Sequence, residues 1–284
     1  MPPTIAAGLP RLPAALACVR TRGHSPRMGS LFLLKLATMP LVIVTATLAG
    51  RRYGAAVAGL ILGLPIVSGP ISVFVAFEQG IGFAREAASG TLLGLIALAT
   101  YCLSYGFAAR RFAWPGALVC GLSATASMVW LLDTIALPES AVIWVTASAI
   151  VLAIRVCPAP GPTLRRKPPP AWDLPARIIV STTFMMTVTL LAASIGPTMT
   201  GMASTFPVML SVMAPFTHRV EGQAAVLSLL RGCIEGLVTF ALFFQVLKMT
   251  LGTWPAPLAY GCALLATLIV AAGVLTLQRR RAHD

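Results

Sequence analysis

Residues 178–217 contain no charged side chain over 40 positions. A membrane crossing takes about 20 apolar residues, so this run is too long for one helix and needs a turn. Gly196-Pro197 supplies one. Comparable apolar runs fill most of the 284-residue chain, which is 57% hydrophobic and only 10% charged. A soluble domain carries about 25% charged residues. The sequence therefore predicts an all-α polytopic transmembrane bundle of about nine spans.

The expected spans are 31–50, 55–77, 87–108, 113–132, 138–155, 177–195, 198–217, 223–247 and 256–277. The fifth is the weakest, because only 15 uncharged residues separate Glu139 from Arg155. Residues 1–29 read as an N-terminal extension, disordered or preceding a true start at Met28. Residues 30–133 form a first four-span unit. Residues 134–176 hold the connecting span and a basic, proline-rich linker around Arg165-Arg166-Lys167-Pro168-Pro169-Pro170. A second four-span unit covers 177–278, and 279–284 is a basic tail.

The net charge of +13, from 21 basic and 8 acidic residues, reads as topology. With nine spans, 13 Lys and Arg fall on one side, from Arg51 to Arg281. Arg85 and Lys248 fall on the other, with four more in the extension. The positive-inside rule then puts the C-terminus in the cytoplasm. Charges placed between apolar runs do not predict nucleic-acid binding. Six cysteines show no CxxC pair and no metal spacing. No P-loop, GxSxG or HExxH motif occurs, and His24, His218 and His283 all lie at or beyond span ends. Neither an enzyme nor a cofactor is expected.

An offset of 142 aligns the two units. Lys35 meets Arg177, Gly59 meets Gly201, Pro65 meets Pro207 and Gly80 meets Gly222. Gly90 and Gly94 meet Gly232 and Gly236. After a two-residue gap, Trp114-Pro115 meets Trp254-Pro255. Five crossings separate the two starts, so the units would run in inverted orientation, as in many transporters. The order Ala58-Gly59-Leu60, Leu64-Pro65, Glu78-Gln79-Gly80, Trp114-Pro115 also resembles the GlpM-like family of small bacterial inner-membrane proteins. Thr200-Gly201-Met202, Phe206-Pro207, Glu221-Gly222 and Trp254-Pro255 repeat that order. The resemblance implies a tandem duplication of a small membrane protein, placed in a bacterial inner membrane, and supplies no substrate.

Two features could carry chemistry. Proline removes a helical hydrogen bond and clashes with the carbonyl four residues earlier. Pro65 and Pro207 therefore predict broken helices at matching positions, with Gly59, Ser68, Gly201, Ser204, Thr205 and Ser211 beside them. Such breaks form central binding sites in transporters, or packing kinks in a bundle. Arg231 and Glu235 are four apart on one helical face, on the order of 12 and 18 Å into their span. Charges at that depth are costly alone, so a pair is expected. It reads either as an ion or substrate carrier or as a static packing link. Gly90-xxx-Gly94 and Gly232-xxx-Gly236 predict close helix contacts. Lys35 and Arg177 are expected to snorkel to the interface.

Two functions fit. One is a secondary transporter for an unidentified small molecule or ion, with its site between spans 2 and 7. The other is a non-transporting membrane subunit serving an envelope or polysaccharide system. The partners implied are the lipid bilayer and the substrate, and a homodimer is compatible with either reading.

Overall fold

The computed structural model describes residues 41–66, 68–135, 137–160, 172–191 and 207–281. The N-terminal extension, the first part of span 1, the linker core and the Gly196-Pro197 turn lie outside the described residues. So do Gly201, Ser204 and Thr205.

The described chain is all-helical. A helix over 41–53 (α1) is followed by α2 (Ala55–Leu62), α3 (Ser68–Gln79), α4 (Ile81–Ala108) and α5 (Trp114–Thr134). Then come α6 (Glu139–Val156), α7 (Asp173–Leu191), α8 (Val208–Glu221), α9 (Gln223–Thr250) and α10 (Ala256–Arg281). Five of these are long and apolar enough to cross a membrane: α4, α5, α6, α9 and α10 through Gln278. The weak fifth span thus forms a helix of 18 residues, and the chain has the helices of a multi-pass membrane protein.

Helix boundaries follow local chemistry. Pro115 sits in the first turn of α5, where the N–H it lacks has no helical partner. Gly80 and Gly222 have φ of 93° and 90°, a region L side chains rarely adopt, and each lets the chain reverse between two helices. The helices they precede, α4 and α9, are each 28 residues long and start 142 positions apart.

These two helices form the centre. In their most apolar windows 72% of α4 and 78% of α9 is buried, against 22% for α5, α6 and α10. α9 packs on α2, α4, α6, α8 and α10, while α4 also packs on α3, α5 and α6. The outer helices turn Trp130, Trp144, Leu265 and Ile269 outward. An apolar surface of this kind suits lipid and would aggregate in water.

The helix ends gather at common levels. Arg51 at the end of α1 reaches Asp173 at the start of α7, at 3.2 Å. Tyr105 near the end of α4 lies 3.5 Å from His218 near the end of α8. At the opposite end, Lys248 Nζ donates to the Glu139 carbonyl at 3.0 Å, joining α9 to the start of α6.

Candidate functional site

The interruption expected at Pro65 is present. Gly63 donates to the Gly59 and Leu60 carbonyls at 2.9 and 3.0 Å, tightening the last turn of α2. Pro65 is buried and has no N–H to continue the ladder. Its carbonyl accepts from Gly69 N–H at 2.8 Å and so opens α3. Pro207 does the same for α8, accepting from Ser211 N–H at 2.7 Å. Ser68 is buried at the first residue of α3, and the Ser211 hydroxyl is enclosed in the first turn of α8.

The juxtaposition expected between spans 2 and 7 falls largely on residues 198–206, which lie outside the described residues. α2 lies on α9 and α3 on α4, while α8 packs on α9, α7 and α5. Glycine brings α2 onto α9. A Cβ on Gly59 would run into the Leu229 carbonyl, and one on Gly232 into the Ala56 carbonyl. One on Gly236 would lie 2.8 Å from the Gly63 Cα. Backbones this close require two glycine faces, here Gly59-xxx-Gly63 and Gly232-xxx-Gly236. Gly59 thus serves contact between helices, and the break itself rests on Cys233 and Gly236.

Arg231 and Glu235 pair as expected, with Nε 3.6 Å from Oε1. Gln278, in the last turns of α10, donates to Glu235 Oε2 at 2.6 Å, a partner the sequence spacing did not reveal. The expected depth changes. A methyl on Gly106 would lie 3.6 Å from Leu227 and from Pro158, and 3.7 Å from Leu230. Residues 227–230 are therefore level with the ends of α4 and α6, and α9 overhangs them. Measured from those ends, Arg231 sits at the bundle's edge and Glu235 about one turn, roughly 6 Å, inside. Accordingly the Arg231 side chain is 32% exposed and that of Glu235 11%.

A second charged group was not expected. Arg177 does not snorkel: it is 2% exposed, beside Asp173 at 1%. Its Nε donates to Asp173 Oδ1 at 3.0 Å, and its Nη1 to Met213 Sδ at 3.2 Å and Thr217 Oγ1 at 3.4 Å. The guanidinium stacks over Phe216, 5.3 Å from the ring centre. The i,i+4 spacing of Asp173 and Arg177 was visible in the sequence. What hid the pair was its place at a span start, where solvent exposure is the ordinary outcome.

Near the ends, burial pushes the Cys157 thiol up to about 11 and holds the His218 imidazole below its ordinary range. Among the described residues, no group of three His, Cys, Asp or Glu is placed to hold a metal ion. No family model, curated protein or solved structure matches the chain.

Proposed function

We propose that the protein is a secondary transporter of the bacterial inner membrane, built from two GlpM-like four-span units in inverted orientation. The observation that carries the reading is the matched pair of helix starts. Pro65 opens α3 and Pro207 opens α8, through equivalent hydrogen bonds 142 residues apart. The equal lengths of α4 and α9, and the shared turn glycines, support duplication. The helix ends that meet at one level support an odd number of crossings between the units. The C-terminus is then cytoplasmic, and Arg231, Glu235 and Gln278 lie on the inner side of the break. Substrate would pass the break at Pro65 and Ser68, with Glu235 offering a carboxylate one helical turn from the inner surface.

A non-transporting scaffold is favoured by one observation: the charges are already closed on one another, Glu235 by Arg231 and Gln278, and Lys248 by Glu139. A single measurement separates the readings. In a chain whose cysteines are replaced by alanine, Ser68→Cys is exposed to a membrane-impermeant maleimide in right-side-out and inverted vesicles. Transport by alternating access expects labelling from both sides. Labelling from one side, or from neither, sinks transport in favour of the scaffold.

A further inference from the structure

Asp173 is the first residue of α7, and its carboxylate joins two cations of different standing. Oδ1 receives Arg177 Nε at 3.0 Å from within the same helix. Oδ2 receives Arg51 Nη2 at 3.2 Å from the end of α1. The first contact travels with α7 in any rigid-body motion. The second breaks as soon as α1 moves.

The same contrast holds for the neighbours. α7 and α8 are fastened by the Arg177 contacts to Met213 and Thr217, by its stacking on Phe216, and by Trp172 against Phe216 at 6.5 Å. The polar contacts of α1 with that unit, among the described residues, are Arg51–Asp173 and Thr47, whose hydroxyl points at Met213 Sδ from 3.7 Å; Val42, Ile43 and Ala46 farther back on α1 are buried in the core. Sulfur is a weak acceptor. Arg51 is 36% exposed, so water and salt reach its guanidinium. An ion pair so placed is weak and screened by electrolyte.

We propose that Arg51–Asp173 is a releasable latch, holding the C-terminal end of α1 against an α7–α8 unit whose own charge pair stays intact when the latch opens. The buried Arg177 keeps the Asp173 carboxylate aimed, and Arg51 is the part that lets go. The offset of 142 sets Leu31 opposite Asp173 and Lys35 opposite Arg177. The first unit carries the cation without the carboxylate, so the latch belongs to one end of the bundle. Its purpose as a gate rests on the transport reading.

Met213 reports the state of the latch, because it is 2% exposed directly beneath Arg177 and Thr47. Oxidation by dilute hydrogen peroxide, read by peptide mass spectrometry on the purified full chain, gives the rate at which it is uncovered. Met249, 68% exposed at the other end of α9, is the internal reference. Arg51→Gln is expected to raise the Met213 rate about fivefold, the upper range for a part-exposed ion pair, with Met249 unchanged. Molar potassium chloride should raise it in the unaltered protein too, and Arg51→Lys should restore slow oxidation. Met213 rates indifferent to Arg51→Gln and to salt would overturn the latch and leave the network as static packing. A Ser68 position reached from only one side would remove the transport reading while leaving this outcome standing.

Discussion

At the scale of single residues, charge legibility depended on what the sequence could measure. The Arg231–Glu235 pair could be read from spacing, because i,i+4 neighbours share a helix face. Its depth could not. Counting from the start of an apolar run assumes that every helix begins at the same membrane level, and α9 begins well beyond the ends of α4 and α6. Arg177 was misplaced for the opposite reason: a cation near a span start is ordinarily wet, and here Asp173, Phe216 and Met213 enclose it. His218 is a further case. Burial disfavours its charged form, so the folded state keeps it neutral at pH values where the unfolded chain takes up a proton. Its contribution to stability is full above the ordinary histidine pKa of about 6.5 and declines as pH falls below that value. The melting temperature in detergent should therefore drop between pH 7.5 and pH 5.5, and His218→Gln should flatten the drop. An equal drop in that variant would assign the acid sensitivity to other groups.

At the scale of elements, the break at Pro65 was legible and the contacts were not. A proline within an apolar run has one physical consequence, loss of a helical hydrogen bond, and the interruption after Leu62 follows from it. Gly232-xxx-Gly236 announced a close neighbour without naming it, since any helix with a small face would serve. The neighbour is α2, and the approach leaves no room for one carbon atom. Gly59→Ala and Gly232→Ala should each destabilise the protein by about 1–3 kcal/mol or more, through forced separation of α2 from α9. Gly82→Ala is the control. It lies in α4 with nothing within 4 Å of its added Cβ, and should be neutral or stabilising by up to about 1 kcal/mol. Thermal unfolding of the three variants checks the contrast, and equal effects would remove the close-contact explanation.

At the scale of the whole molecule, helical segments lie at each expected span wherever residues are described, because runs of apolar residues leave a membrane chain few alternatives. Which helices would be central was not legible. α10 is as apolar as α9, and in lipid a core residue and a lipid-facing residue can be the same leucine. The arrangement of ends yields a sidedness test. Arg111→Cys, after α4, should label from the cytoplasmic side, and Thr253→Cys, between α9 and α10, from the outside. Labelling of both from one side would break the nine-crossing topology at the fifth span, where the sequence signal is thinnest.

The glycine contact between α2 and α9 bears on how the chain is made. Gly59 emerges from the ribosome about 170 residues before Gly232, a delay on the order of ten to thirty seconds at ordinary synthesis rates. During that time an eight-residue helix, too short to span a bilayer, lacks the glycine face it packs on. Insertion of the first half must therefore stay provisional until the second half arrives. A chain truncated before α9 should be a substrate for quality-control proteolysis rather than a stable half-protein.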